Sequence, residues 1–357
     1  MAETGQIKVA IVGVGNCAQA LLQGIEYYRR NPGDTGGLMN ADLGGYGVGD
    51  IACVAAFDVD ARKVGRDLHS AVLSEPNMAY TYPDVPLEPG GVTVQMGPIM
   101  DGVPEHLAEL VVLSEAEPCD VAGVLRESGA EMLLNFLPTG SARAARFYAD
   151  VAIKEVGMGF INGMPELIVC DPAYQEIAAA GGMPLIGDDV KSQIGATIIH
   201  RCLSQLFVER GIHIDATYQL NYAGNTDFLN LCNRGASKHK TKRAAVEQVI
   251  PYETEISTGF SYIELMKDRK TAYFWIDGGN FGHAPLRFEA KLEVEDSANF
   301  AGVMVDMIRY ARIALDRGTG GVLESACAFL TKHPPVPMPD AQAIQQLEEF
   351  VAGARDR

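Results

Sequence analysis

The tightest constraint on this chain lies near its start. Residues 7–15 read Ile-Lys-Val-Ala-Ile-Val-Gly-Val-Gly, a nearly unbroken apolar run that ends on a glycine turn. A strand apolar at successive positions is buried on both faces, as in a parallel sheet covered by helices. A helix is expected to follow over 16–28. The turn itself, Gly13-Val14-Gly15-Asn16-Cys17-Ala18, has the spacing GxGxxA. Glycine there permits a tight turn and lets backbone N–H groups approach a pyrophosphate at the helix N-terminus. Between a strand and a helix the pattern points to dinucleotide binding; the competing reading is an ordinary βα turn.

The alternation continues downstream. Strands are expected at 51–58, 92–96, 132–137, 159–162 and 183–186. Helices are expected from Ala61, near 120–128, near 141–156 and near 172–180. Strands alternating with helices predict a parallel sheet with helices on both faces. Residues 31–50 are rich in Gly, Asn, Asp and Pro and read as a loop insertion. The pattern changes after a long helix expected over 191–209. Residues 214–222 and 272–277 read as strands. From Leu286 to Glu295, apolar and charged residues alternate strictly, as in a strand with one buried face. These strands suggest a separate, largely antiparallel sheet over 210–297. A helix over 298–317, a Pro-rich link and a last helix close the chain. The fold class is therefore α/β: a Rossmann domain with an inserted β-rich domain and a C-terminal helical return. The boundaries are 1–200, 201–300 and 301–357.

A chain of 357 residues fits about two domains at ~150 residues each. Its net charge of −17 makes it a poor general partner for nucleic acid or an anionic membrane, and neither is expected. Its apolar runs fall short of the ~18 residues of a membrane span. Its first residues have neither a basic nor an apolar leader pattern, so a cytoplasmic location is expected. The seven cysteines are scattered without a CxxC pair, which argues against a disulfide framework or a cysteine zinc site.

Three features carry chemistry. Asp58 ends the second strand, where a carboxylate accepts hydrogen bonds from an adenosine ribose and repels a 2′-phosphate. That favours NAD over NADP, with the nearby Arg62 keeping NADP open. It lies 43 residues past Gly15, where about 20 is usual; the insertion at 31–50 accounts for the excess. The run from Arg234 to Arg243 carries five cations and no acid, which is notable in an acidic chain. Lysines there suit phosphate and developing oxyanions, against the alternative of a solvated basic turn. Finally, Asp188, Asp189 and Lys191 follow the strand at 183–186, at the carboxyl end of the sheet where ligands bind. Two carboxylates beside a lysine can hold a cation, tune the lysine or cap a helix.

These features, in this order, resemble the myo-inositol-phosphate synthase family, also called the inositol-3-phosphate synthase family, and most closely its shorter bacterial members. The resemblance runs from about Ile7 to Pro335. It rests on VGVGNCA (12–18), AAFDVDARKVG (55–65), LPTGS (137–141), GDDVKSQIGAT (187–197), QLNYAGNTDFLN (219–230), the SKxxxK spacing at 237–242, DRK (268–270), KLEVEDS (291–297) and TKHPP (331–335). It implies a homotetrameric isomerase that converts glucose 6-phosphate to an inositol phosphate. The implied steps are oxidation at C5, enolisation, intramolecular aldol closure and re-reduction, with NAD recycled. It also implies an inserted domain that builds the active site and the tetramer.

Carried over position by position, Lys238, Lys242, Lys270, Lys332 and Asp189 form the implied catalytic set. Asn225, Asp227, Lys191 and Asp296 are the implied substrate contacts. Gly13, Gly15, Asn16, Cys17, Asp58, Pro138, Gly140 and Asp188 are the implied cofactor contacts. Lys291 also matches a family lysine, of unassigned role. A divalent or monovalent cation is compatible with the Asp188–Asp189 pair. The sequence departs from the usual bacterial pattern at LPTGS, NGMPELIV (162–169), AGNTDF (223–228), SKHKTKR (237–243) and ELMKDRK (264–270). Altered positions around intact lysine spacings raise an alternative. This is a family cyclase of a specialised pathway that closes another hexose 6-phosphate, such as fructose 6-phosphate to a five-membered cyclitol phosphate in carbocyclic nucleoside biosynthesis.

Overall fold

A computed structural model describes residues 5–234 and 249–357. The chain divides into two compact units, Met1–Gln193 with Phe300–Arg357, and Ile194–Asn299.

The first unit is built on a parallel sheet. Its strands are β1 (Ile7–Val12), β2 (Ile51–Asp58), β3 (Val94–Met96), β4 (Met132–Asn135), β5 (Gly159–Asn162), β6 (Pro184–Ile186) and β11 (Gly321–Val322). They lie in the order β11-β6-β5-β4-β1-β2-β3, every pairing parallel. This is the doubly wound dinucleotide-binding order with one extra edge strand. The order reverses between β1 and β4, the switch point beyond whose carboxyl ends open α/β sheets bind ligands. The central strands are almost wholly buried, which explains their continuous apolar runs.

Helix α1 (Asn16–Arg30) follows β1 and ends with Arg29 and Arg30, both paired with Glu26. Helices α3 (Val121–Ser128) and α5 (Pro172–Gly181) have aspartate N-caps, Asp120 and Asp171, and stop at left-handed Gly129 and Gly182. After β6 the chain passes through the second unit. It returns as α8 (Asp296–Asp316), β11, α9 (Glu324–Leu330) and α10 (Asp340–Val351).

The 31–50 insertion is tied to α8. Arg309 and Asp306, both fully buried, form an ion pair. Arg309 also donates to the carbonyls of Asn40 at 2.8 Å and Tyr46 at 3.1 Å, and Asn40 Nδ2 donates to Asp306 at 2.5 Å.

Three sequence expectations change here. No helix starts at Ala61. Asp60 and Asp67 each accept a backbone N–H two residues on, and Gly65 takes φ +79°, so the segment turns and leaves only α2 (Leu68–Ala71). The helix at 141–156 is α4 (Ala142–Ala149) followed by a π-helical stretch, Asp150–Val156. The helix expected from residue 191 starts at α6 (Ala196–Glu209). Upstream, the Lys191 N–H pairs with the Leu330 carbonyl, and the Ile194 N–H donates to Asn299.

The second unit holds a four-stranded sheet in the order β10-β9-β7-β8. Its strands are β7 (His213–Ala223), β8 (Glu255–Tyr262), β9 (Arg269–Gly279) and β10 (Pro285–Glu295). β10–β9 and β9–β7 are antiparallel, as expected, and β7–β8 is parallel, so the sheet is largely antiparallel with one parallel pairing at its edge. On β10, Ala290 and Leu292 pack with Ala272, Phe274 and Ala196, and Phe288 packs with Ile214 and Ile276. Helix α7 (Thr226–Arg234) follows β7. Among the described residues, no helix is long and apolar enough to cross a membrane.

Candidate active site

The glycine turn is fixed from several sides. Gly13 has φ +94°, and a Cβ there would lie 2.6 Å from the Phe136 carbonyl oxygen, so no other residue fits. A Cβ on Gly15 would meet nothing within 4 Å, which leaves open space at the head of α1. Helix α1 has no side-chain cap and no acid in its first turn, the polarity that suits an anion.

Asp58 Oδ2 accepts the Val14 N–H at 2.7 Å, and its Oδ1 accepts the N–H groups of Val59 and Asp60. The Val14 carbonyl accepts from Lys63 Nζ at 2.8 Å and Asn77 Nδ2 at 3.1 Å. Both ends of the Val14 peptide are therefore held. Asn16 Oδ1 accepts the Met78 N–H at 2.8 Å, and Cys17 packs half-buried against the core. Sequence reading missed Lys63, a buried cation whose pKa is pushed down by burial. Its signal is a lysine close after the β2 carboxylate in a stretch that turns. Arg62 is engaged by Asp60, with Nε at 2.9 Å and Nη2 at 2.5 Å, and it also donates to the Leu110 carbonyl.

A second network runs across the strand ends. Asn135 Nδ2 donates to Asn162 Oδ1 at 2.8 Å, and Asn162 Nδ2 donates to Asp188 Oδ1 at 2.6 Å. Asn135 Oδ1 accepts the Leu137 N–H and so steers the loop that carries Pro138 and Gly140, the latter at φ +97°. Asp188 also accepts the N–H groups of Ile168, Val169 and Cys170 at 3.0–3.1 Å and is fully buried. Burial pushes its pKa up while these donors pull it down. Read from sequence as a cofactor contact, Asp188 instead has both oxygens engaged in anchoring the 168–170 loop.

Its neighbour Asp189, in the left-handed region at φ +61°, faces Lys332 Nζ at 2.7 Å. The two carboxylates thus serve different partners. Among the described residues, no group of three or more His, Cys, Asp or Glu could hold a metal. Lys191, read as a substrate contact, sends its ammonium to the last carbonyls of α9, Ala328 at 2.7 Å and Phe329 at 3.1 Å. Cations are favoured at a helix C-terminus.

The second unit brings other candidates together. Lys270 Nζ lies 2.9 Å from Asp296 Oδ1 and 5.5 Å from the centre of the Phe228 ring. Asn225 Nδ2 reaches both Asp296 Oδ2 at 3.3 Å and Asp268 Oδ1 at 3.2 Å. Asp268, buried, also accepts the Ser297 N–H and hydroxyl, each at 2.9 Å. Burial and the charge of Asp296 push its carboxyl up to about 7, against the pull of these donors. Sequence reading took Lys270 from the DRK segment and passed over this aspartate two places earlier. Asp227 lies in the first turn of α7. Lys291 stands on an exposed part of β10, paired with Glu293 at 2.8 Å. Lys238 and Lys242 lie outside the described residues.

Comparison with known proteins adds relatives. A family model described as myo-inositol-1-phosphate synthase matches residues 195–297. The inositol-3-phosphate synthase of Mycolicibacterium smegmatis is 45% identical, covering 98% of this chain and 99% of that protein. The inositol-3-phosphate synthase of Mycobacterium tuberculosis H37Rv is 46% identical, covering 98% and 96%. The crystal structure of Ari2 superposes with a TM-score of 0.82 at 36% identity, over 97% of this chain and 99% of that one.

Proposed function

The chain belongs to the inositol-3-phosphate synthase family, and from that premise we propose that it isomerises glucose 6-phosphate to an inositol phosphate with NAD restored in each turnover. The observation that carries the reading is the pair of ammonium–carboxylate contacts, Lys332 with Asp189 and Lys270 with Asp296. Ring closure needs a proton taken from carbon beside a ketone, negative charge held on oxygen, and a phosphate held throughout. An ammonium has three N–H groups. One spent on a carboxylate orients the other two, and oriented donors stabilise an oxyanion most effectively. The carboxylate can take up a proton that the lysine relays. Lys238 and Lys242 complete the proposed set, and Asn225, Asp227 and Asp296 are the proposed substrate contacts.

The turn after β1 fits a dinucleotide on its own geometry. Gly15 leaves room, α1 begins without a cap, and Asp58 ends β2, the position from which a carboxylate would meet an adenosine ribose. Gly13, Gly15, Asn16, Cys17, Asp58, Pro138 and Gly140 would hold it. Asp58 and the neutralised Arg62 support NAD over NADP. When bound, NAD supplies reversible hydride exchange at C5, so the reaction is redox-neutral overall. We assign the cofactor and the Lys332–Asp189 pair to the first unit, and the Lys270–Asp296 pair and assembly as a homotetramer to the second.

The test supplies purified protein and NAD+ with glucose 6-phosphate or with fructose 6-phosphate. The dephosphorylated products are read by mass spectrometry and proton NMR. Inositol from glucose 6-phosphate without net NADH is the expected result. A five-membered carbocycle from fructose 6-phosphate alone would overturn it. Lys270→Ala is expected to abolish cyclisation and leave NAD+ binding intact.

A further inference from the structure

We infer that Asp268 is a positioning residue for Lys270, acting through Asn225 and the first turn of α8 to fix where Asp296 holds the lysine ammonium. The inference rests on the reading of Lys270 as a ring-closing residue and assigns a task to an aspartate that this reading leaves unused.

The geometry is a chain of contacts. Asp268 Oδ1 accepts from Asn225 Nδ2 at 3.2 Å and from the Ser297 hydroxyl at 2.9 Å, and its Oδ2 accepts the Ser297 N–H at 2.9 Å. The Asp268 carbonyl accepts the Asp296 N–H at 3.1 Å. One residue therefore holds the backbone on both sides of the Asp296 side chain. The same Asn225 amide that reaches Asp268 also reaches Asp296 Oδ2 at 3.3 Å, leaving Oδ1 for Lys270 at 2.9 Å. Asn225 is aimed in turn by its Oδ1, which accepts the Phe228 N–H at 3.1 Å. Phe228 carries the ring beneath the Lys270 ammonium.

A helix cap alone does not account for this arrangement. The two Ser297 bonds would cap α8 without any contact to Asn225. A buried carboxyl set beside a second carboxylate is costly unless its neighbours hold it. The charged groups around Asp268 are Asp296 from α8 and, beyond it, Lys270 from β9; Asn225 and Ser297 are neutral donors. Burial and Asp296 bring its titration to about neutral pH.

The test measures the rate of reductive methylation of Lys270 at fixed pH by mass spectrometry, in the full-length wild type and in Asp268→Asn. With Asp296 displaced, the Lys270 amine loses its partner and is freer to react. The expected result is labelling about fivefold faster, the worth of one partly exposed ion pair of ~1 kcal/mol. Lys291, on an exposed face, should label as in the wild type and serves as the internal reference. Turnover should fall by about a hundredfold, as expected for a group displaced by an ångström, with NAD+ affinity unchanged. Asn225→Ala cuts the bridge while leaving the Ser297 bonds, and should change the Lys270 labelling rate in the same direction. It covers the case in which Asp268→Asn does not fold. A Lys270 labelling rate that stays at the wild-type value in either folded variant reduces Asp268 to a helix cap and overturns the inference. Labelling needs no turnover, so failure of the wild type to form inositol phosphate would count against the proposed activity alone.

Discussion

Asp188→Asn separates two roles for one carboxylate. In the structure Oδ1 accepts Asn162 Nδ2 at 2.6 Å and the Val169 N–H at 3.0 Å, while Oδ2 accepts the N–H groups of Ile168 at 3.1 Å and Cys170 at 3.0 Å. An asparagine has the same shape but turns one acceptor into a donor. Whichever oxygen it replaces, its NH2 meets two N–H groups, so two bonds are lost in either orientation. Bonds to a charged acceptor contribute about 1.5–3 kcal/mol each, which sets the loss at about 3–6 kcal/mol. Asparagine is also cheaper to bury than the carboxylate, whose pKa burial pushes up. That offset places the expected cost near the low end, about 3 kcal/mol. At roughly 2–4 °C per kcal/mol for a unit of this size, the first unit should melt about 6–12 °C lower by scanning calorimetry. NAD+ affinity, measured by titration calorimetry below the transition, should change little. A variant that melts within about 2 °C of wild type but binds NAD+ poorly would refute the anchoring role and return Asp188 to the cofactor.

The other expectations concern separate sites. Arg309→Met leaves the Asp306 charge buried without its partner and should cost about 3–5 kcal/mol, while Asp306→Leu combined with Arg309→Met should recover much of it; denaturant midpoints decide, and equal losses in the single and double variants would count against the ion pair. Asp60→Asn should release Arg62 and shift the NADP+ to NAD+ affinity ratio upward about fivefold, the worth of one partly exposed ion pair of ~1 kcal/mol. Direct binding measures this, and an unchanged ratio would show that Arg62 does not face the ribose. Asp268 titrates higher in the folded chain than unfolded, so its contribution to stability is full below about pH 4 and is lost as pH rises through about 7. The melting temperature of wild type minus that of Asp268→Asn should therefore fall between pH 5 and 8, and a flat difference would contradict the assignment.

What could be read from the sequence followed what is local. Strands at 51–58 and 159–162 end where the structure ends them, because a continuous apolar run closed by a charged or polar residue leaves little choice of register. The turn at Gly13 was equally legible, since a glycine pair between strand and helix answers a steric need. Errors arose where side chains bond their own backbone. The stretch after Asp60 has helical composition, but Asp60 and Asp67 draw it into turns. Strand β8 was missed although Ile256, Thr258, Phe260 and Tyr262 alternate correctly, because Gly259 and its serines resemble a loop.

The direction of a polar side chain was harder to read than its presence. Asp188 and Asp189 are indistinguishable as neighbouring acids in sequence. Their fates diverge because the chain turns left-handed at Asp189, sending one carboxylate inward to a loop and the other to Lys332. The inward network still leaves a trace once the sheet order is known. Asn135 and Asn162 are the last residues of adjacent parallel strands and sit opposite each other in register. The next strand over, β6, pairs Ile186 with Ile161, so the chain just beyond its end supplies the third member, Asp188. Residues 27 and 26 positions apart are thus brought into line by parallel pairing alone. Polar residues at the carboxyl ends of consecutive buried strands have no solvent to bond to, so they must bond one another. That rule turns an unremarkable asparagine in each strand into a prediction of contact, which the periodicity of either strand alone does not contain.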